Sequence, residues 1–273
     1  MHPTLSIIIV TYNQPQLVER CLASIMRNGH LISQTLEVIL VNNGTERARL
    51  PQGHEQFLKV INNEDNVGFG RAVNQAAEIA QGDYLFLLNS DAALNESTLK
   101  ELNRFIDTHP HAAIVGTRQE TTRGELVASF GNYPNAWREL AALTGISRVL
   151  PVGRLIVPTL ALRQNYKYSG PREWVSGGAM LIKRSYFERV GGFDPMYFLY
   201  VDDIDLCRRV NGIGGQVWYC AEALVTHDYG SSGSRERAQK YTTQGLLYFA
   251  KKYGQAVRPL ATIQSIKAAL RPN

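Results

Sequence analysis

Three carboxylates crowd one short stretch of this chain. In VDDIDLCRR (Val201–Arg209), Asp202, Asp203 and Asp205 occupy about one helical turn, and acids this close raise one another's pKa unless a cation or an arginine balances them. Asp205 has Arg208 and Arg209 three and four residues on, the ordinary helix-surface pairing. Asp202 and Asp203 have no local partner. A fixed carboxylate of this kind can take a proton from an attacking hydroxyl. Acidic residues also favour helix N-termini on electrostatic grounds alone, so a structural role stands beside the general-base one. Tyr197, Phe198 and Tyr200 just before the pair suit the apolar face of a sugar, and suit a core equally well.

A further carboxylate, Asp91, closes Asn89-Ser90-Asp91 at the end of the apolar run Tyr84–Leu88. An acid there, among small polar groups, suits a hard divalent cation that also takes phosphate oxygens. The alternative is a carboxylate facing the dipole of a helix that starts near Asn95. His227, in VTHDYGSSG, follows a short strand and precedes small polar residues, as a metal ligand or as an ordinary hydrogen-bonded side chain. His2, His30, His54, His109 and His111 fall in turns, termini or helix ends and take no role. In NVGFGRAVNQA (Asn66–Ala76), Gly68 and Gly70 look like the start of a dinucleotide fingerprint. However, Val73 replaces its third glycine, and the segment does not follow the first strand. Arg71 and the free N–H groups at the head of that helix are placed to meet a phosphate.

The elements that must hold these residues alternate strand and helix. Leu5–Thr11 is a continuous apolar, β-branched run, the pattern of a strand buried on both faces. Pro15 opens a helix with Leu17, Val18, Cys21, Leu22 and Ile25 on one face and Gly29 as its stop. Leu36–Val41, Leu58–Ile61, Tyr84–Leu88 and Ala113–Gly116 read as strands, and Arg71–Ala80 as a helix ended by Gly82. Asn95 caps a helix carrying Leu99, Leu102, Phe105 and Ile106. Such alternation predicts a mostly parallel sheet with helices on both faces, and ligands then bind beyond the carboxyl ends of the strands. Thr11-Tyr12-Asn13, Asn42-Asn43-Gly44-Thr45 and Asn89-Ser90-Asp91 all fall there. Thr117–Arg172 has no clear period and reads as an insertion covering the site. Trp174–Arg184 then restarts as a strand, followed by a short helix to Val190, the turn GGFDP (Gly191–Pro195) and the aromatic Met196–Tyr200.

Composition narrows the class. The chain has 273 residues, 44% hydrophobic and 19% charged, with 29 Lys+Arg against 24 Asp+Glu and a net charge of +5. That describes a globular protein and excludes a disordered one. A chain of this length buries about three quarters of its unfolded surface and needs no staple. The three cysteines, odd in number and without metal-ligand spacing, point to a reducing compartment. No apolar stretch approaches the ~20 residues of a membrane span, and the N-terminus lacks a signal-peptide pattern. After Tyr241, Lys251, Lys252, Arg258, Lys267 and Arg271 meet no acidic residue and alternate with apolar ones. Such a segment lies on an anionic membrane surface or packs as a basic helix on the domain.

Taken in order, SIIIVTYNQ, VNNGT, NVGFGRAVNQA, LNSDA, SGGAMLIKR, GGFDPMYFLYVDDIDLCRR and VTHDYGSSG resemble the family 2 inverting glycosyltransferases, most closely their rhamnosyltransferase-like branch. The resemblance covers about Leu5 to Gly233 and implies a GT-A fold, a single Rossmann-like α/β domain with a mixed, mostly parallel sheet and an acceptor-side insertion. The nucleotide-binding half would be about residues 1–116 and the acceptor-side half about 117–240, followed by the basic amphipathic segment 241–273. The same resemblance implies that Thr11, Tyr12, Asn13 and Asn42 line the nucleotide pocket, with Gly70, Arg71 and Asn74 by the ribose and diphosphate. Asn89 and Ser90 would lie on the donor side. Asp91 would hold Mg2+ or Mn2+ on the diphosphate and His227 would complete its shell. Gly177 and Gly178 would let the backbone approach the donor sugar. Asp203, with Asp202 beside it, matches the catalytic acidic pair. Asn42 stands where the family usually has Asp, and residues 89 and 90 leave the metal motif one carboxylate. Trp174, Trp137, Tyr200 and the insertion are the acceptor-side candidates.

The implied donor is a nucleotide-sugar, dTDP-L-rhamnose first, with UDP-sugars or GDP-mannose behind. The implied acceptor is a hydroxyl of a bacterial surface glycan or lipid-linked glycan. Nucleic acid is not an implied partner. The expected location is cytoplasmic, with peripheral contact on the inner membrane face through the C-terminal segment. A nicotinamide dehydrogenase would carry GxGxxG after the first strand, where TYNQPQ stands, and a sugar nucleotidyltransferase would open on a glycine- and lysine-rich loop. A non-catalytic scaffold of the same fold stays open, although it would need none of Asp91, Asp203 and His227.

Overall fold

The apolar run at residues 5–11 forms β1 (Leu5–Thr11), and its two faces feed different cores. Ile7 and Ile9 pack with Val18, Cys21, Leu22 and Ile25 of α1 (Pro15–Gly29), while Ile8 packs with Ala72, Val73 and Ala76 of α2 (Phe69–Ile79). A strand covered on both sides has no solvent face to mark with polar residues, hence the unbroken hydrophobic sequence. The computed structural model describes residues 5–29, 36–50, 57–144, 166–228, 235–255, 259 and 261–263.

The remaining elements are β2 (Leu36–Asn42), β3 (Leu58–Asn62), β4 (Tyr84–Leu88), β5 (Ala92–Leu94), α3 (Thr98–Thr108), β6 (Ala112–Glu120), β7 (Leu126–Val127), β8 (Phe130–Gly131), α4 (Ala136–Thr144), β9 (Gly170–Pro171), β10 (Trp174–Val175), β11 (Ala179–Lys183), α5 (Arg184–Arg189), α6 (Asp202–Gly212), β12 (Gln216–His227) and α7 (Arg235–Lys252). Among the described residues the main sheet runs β3-β2-β1-β4-β11-β6-β12-β5, with β7 on β6 and β9 on β12; β8 and β10 pair separately. The first four of these strands are parallel, and β6 is parallel to β12. Between the two groups, β11 runs antiparallel to both β4 and β6. Its first residues therefore lie where β4 ends, and Gly177-Gly178 are delivered to the carboxyl edge. This is the mixed, mostly parallel α/β architecture the sequence predicts.

Four expectations change. The stretch from Thr117 is not uniformly irregular: β6 continues through Glu120, and β7, β8, α4 and β9 follow, with 145–165 outside the described residues. Asn95 does not cap a helix beside Asp91. The strand β5 intervenes, α3 starts at Thr98, and the Asn95 amide oxygen accepts from the Thr226 hydroxyl at 2.9 Å. The strand before His227 is long, twelve residues interrupted by a register shift between Cys220 and Leu224, which breaks the alternation that would have revealed it.

The fourth change is at the C-terminal end. Helix α7 runs through the boundary drawn at 240/241, and Leu246, Phe249 and Ala250 are buried in the domain core. Lys252 is paired inward, with Asp194 and Asp205 each at 2.7 Å. One face of α7 thus packs on the domain; 256–258, 260 and 264–273 lie outside the described residues. No helix among the described residues is long and apolar enough to cross a membrane. Cys21, Cys207 and Cys220 are free and buried.

Candidate active site

Parallel pairing brings the polar strand ends together, with Thr11 opposite Asn42 in register. Thr11 is buried and its hydroxyl has no hydrogen-bond partner among the described residues, while Tyr12 is exposed. Asn13 sits at φ 52°, and its amide oxygen accepts the Thr45 and Glu46 N–H groups at 2.9 and 3.1 Å. Asn42 is engaged at both ends by its own loop, accepting the Gly44 N–H at 3.0 Å and donating to the Glu46 carbonyl at 3.1 Å. These two bonds let it shape the loop, and its amide keeps one further N–H and one further lone pair. Asn43, named in the sequence only within its polar cluster, donates to the Gly68 carbonyl at 3.2 Å and ties the end of β2 to α2.

The glycine segment also differs from expectation. Gly68, at φ 88°, lies so close to the Phe198 carbonyl that a Cβ would stand 2.6 Å from it, and a Cβ on Gly70 would stand 2.8 Å from that of Phe193. Asn74 brackets the Phe193 backbone, donating to its carbonyl at 2.9 Å and accepting its N–H at 2.8 Å. Arg71 is exposed and donates to the Pro195 carbonyl at 3.2 Å. Gly70 and Asn74 thus grip the GGFDP turn through Phe193.

Asp91 meets His227 because β5 pairs with the end of β12, His227 opposite Ala92. The Asp91 Oδ1 and His227 Nε2 atoms are 2.9 Å apart, and both side chains are almost wholly buried. Asn89 Nδ2 lies 3.4 Å from the same ring nitrogen, and Gln119 Oε1 lies 2.7 Å from Nδ1 on the other side. Ser90 is buried and its hydroxyl reaches Gln14 at 3.3 Å. A Cβ on Gly178 would stand 2.8 Å from His227 Cε1, so this glycine makes room for the imidazole.

One residue earlier, Gly177 donates its N–H to Asp203 Oδ2 at 3.0 Å, while Ile204 N–H reaches Oδ1 at 2.8 Å. The dipeptide Gly177-Gly178 is thus flanked by the Asp203 carboxylate on one side and the Asp91–His227 pair on the other. Burial raises the pKa of Asp203 against the lowering effect of those N–H donors. Burial, followed by the charge of Asp203, pushes Asp202 up to about 8. Asp202 accepts the Asp203 N–H through Oδ1 at 3.2 Å, and its buried Oδ2 has no partner among the described residues. The Tyr200 hydroxyl is raised by burial and then by the charges of Asp91 and Asp202, so this ring lies within reach of both acidic centres.

Tyr200 and Val201 adopt φ of 66° and 68° in succession, a left-handed conformation that a β-branched residue adopts only under constraint. The constraint includes α7: a Cβ on Gly245 would come within 2.9 Å of Val201 Cγ2. Asp205, fully buried, pairs with Arg209 at 2.7 Å as its spacing predicts, and also takes the Tyr253 hydroxyl at 2.8 Å. Trp174 is not an open platform. Its side chain is in the core, and its indole N–H donates to the Asn132 carbonyl at 2.9 Å. Trp137, on α4, is 77% exposed.

Asp91 Oδ1 and His227 Nε2 stand as two neighbouring ligands of one octahedral ion would, since donors about 2.1 Å from a small divalent cation are about 3.0 Å apart. No group of three or more His, Cys, Asp or Glu suited to a metal occurs among the described residues. An ion here would draw the rest of its shell from ligand oxygens and water.

Known proteins carry the same arrangement of chain. A family description, Glycosyl transferase family 2, matches residues 6–191. The N-acetylglucosaminyl-diphospho-decaprenol L-rhamnosyltransferase of Mycobacterium tuberculosis (strain ATCC 25618 / H37Rv) is 28% identical over 256 residues, 87% of this chain and 80% of that protein. Rhamnosyltransferase WbbL of Escherichia coli (strain K12) is 27% identical over 152 residues, 54% of this chain and 53% of the other. Among solved structures, GalNAc-T7 with UDP, GalNAc and Mn2+ superposes with a TM-score of 0.62 at 16% identity, over 96% of this chain and 54% of that one. The Pyrobaculum calidifontis mannosyltransferase PcManGT, in complex with GDP-Man and Mn2+, gives 0.59 at 18% identity, over 98% of this chain and 70% of that one. These likenesses are of fold. With a family match over more than half its length and acids gathered at the carboxyl edge of a GT-A sheet, the chain belongs to glycosyl transferase family 2 and is a glycosyltransferase.

Proposed function

We propose that the protein transfers a sugar with inversion, from a nucleoside diphosphate donor to a hydroxyl of a bacterial surface glycan or lipid-linked glycan, with Asp203 as general base. L-Rhamnose carried on dTDP is the donor we assign first, on the strength of the two rhamnosyltransferase relatives. The observation that carries the mechanism is the Gly177-Gly178 dipeptide, which sets the Asp203 carboxylate beside the Asp91–His227 pair.

Asp91 and His227 would hold Mg2+ or Mn2+, which when bound neutralises charge growing on the departing diphosphate. Two N–H donors fix the direction in which Asp203 points, and burial makes it a stronger proton acceptor than an exposed aspartate. Burial and the charge of Asp203 raise Asp202, so the two acids titrate as a pair; the base role goes to Asp203, the member oriented by the Gly177 and Ile204 N–H groups. Asp203 takes the acceptor hydroxyl's proton as that oxygen forms its bond to the anomeric carbon. The bond from that carbon to the diphosphate oxygen breaks on the opposite face. One base and one displacement require no covalent enzyme intermediate.

Calorimetry with dTDP-L-rhamnose, UDP-sugars and GDP-mannose, each with and without Mn2+, tests the donor. The expected result is metal-assisted binding of the dTDP donor. Binding to none of the panel would favour a non-catalytic scaffold and sink the proposal.

A further inference from the structure

Gln119 is the least expected polar residue beside the site. On β6 it is flanked by Arg118 and Glu120, which bond to each other at 2.8 Å on the outward face. Strand alternation turns Gln119 the other way, and it is 1% exposed. It pairs in register with Val225 of β12, and His227 lies two residues further along the same face. A buried amide without partners is costly, and a leucine or methionine would fill the volume without that cost. Its side chain makes one hydrogen bond among the described residues, between Oε1 and His227 Nδ1 at 2.7 Å. Its Nε2 is buried with no partner among those residues.

We propose that Gln119 is a positioning residue that fixes the tautomer of His227 so that Nε2 is available to a divalent cation; this rests on the metal role proposed above for Asp91 and His227. A carbonyl oxygen can only accept, so the hydrogen in the Gln119 contact is on Nδ1. A neutral imidazole has one N–H, so Nε2 carries a lone pair, and that lone pair faces Asp91 Oδ1 at 2.9 Å. Two electron-rich atoms held this close repel unless they share a cation. The opposite amide orientation would donate to Nδ1 and move the ring proton to Nε2, where it would bond to Asp91 and block a metal. The direction of one buried amide therefore decides whether the pair is a metal site or a closed hydrogen bond. Partners of this kind commonly govern metal affinity by about 10- to 100-fold.

The test has two arms. In metal-free protein labelled with 15N-histidine, long-range proton–nitrogen spectra at pH 8 should show His227 protonated on Nδ1; protonation on Nε2 in the wild type overturns the proposal without recourse to any variant. In the second arm, Mn2+ affinity in the presence of dTDP is read by electron paramagnetic resonance. Gln119→Met should weaken it about 10- to 100-fold, and Gln119→Glu, which still accepts from Nδ1, should restore it. Wild-type affinity in Gln119→Met alongside a loss in Asp91→Asn refutes the role of Gln119 alone. Wild-type affinity in Asp91→Asn refutes the metal reading itself, and the spectrum still decides the tautomer.

Discussion

Gly177 and Gly178 are adjacent, yet alanine should affect them unequally. At Gly178 the new Cβ would stand 2.8 Å from His227 Cε1 and 3.2 Å from Nδ1, where ordinary contact begins at 3.4 Å. The ring would have to recede by about 0.6 Å, beyond what a packed interior gives freely. It is held by Gln119 at 2.7 Å and Asp91 at 2.9 Å. The same displacement would stretch both bonds to the limit of useful geometry. Two weakened buried hydrogen bonds plus overpacking amount to about 2–4 kcal/mol. Reduced unfolded-chain entropy returns about 0.4–1 kcal/mol. The net loss, about 1–3.5 kcal/mol, should lower the melting temperature by about 2–7 °C. At Gly177 the nearest atom to a Cβ is Asp203 Cβ at 3.5 Å, an ordinary contact, and Gly177→Ala should melt within about 2 °C of wild type. Scanning calorimetry of the two variants side by side decides the matter. Equal melting temperatures would refute the claim that Gly178 is small because His227 needs the space.

Three further outcomes are expected. Asp203→Asn should reduce transfer by about 10²- to 10⁴-fold while donor affinity stays near wild type; comparable turnover would remove the base. Asp205→Asn leaves Arg209 and Lys252 without their shared buried carboxylate and should destabilise by about 3–5 kcal/mol, read as a lower urea midpoint. Asp202 has a raised pKa in the folded chain, so its contribution is complete below the unfolded value near 4 and is lost as pH rises towards 8. Asp202→Asn should therefore gain on the wild type across that window, by up to about 1.4 kcal/mol per pH unit. Parallel stability curves from pH 4 to 8 would refute the shift.

What could be read in advance follows from burial. Leu5–Thr11 and Tyr84–Leu88 coincide with β1 and β4 because both faces of these strands are covered and every position is apolar. The end of β6 was hidden, since Thr117-Arg118-Gln119-Glu120 reads as surface although Thr117 and Gln119 are buried. Asn42 and Asn74 illustrate a different limit. Their types suit ligand binding, but their amides serve backbone groups in their own loop and in a turn distant in sequence. Asp91, His227 and Asp203 were legible as chemistry; that Gly177-Gly178 would join them depends on β11 running antiparallel, which no local pattern records.

The left-handed turn at Tyr200-Val201 bears on the order of assembly during synthesis. Each such residue stores about 1–3 kcal/mol, and the support behind Val201 comes from Gly245, more than forty residues later in the chain. A nascent chain emerging N-terminus first presents every strand of the sheet, and all the acids of the site, before that helix leaves the ribosome. Until α7 docks, nothing on the Gly245 side holds the turn, and Asp203 is free to swing with it. With Asp203 as the proposed base, competence should therefore arrive with α7 rather than with the sheet.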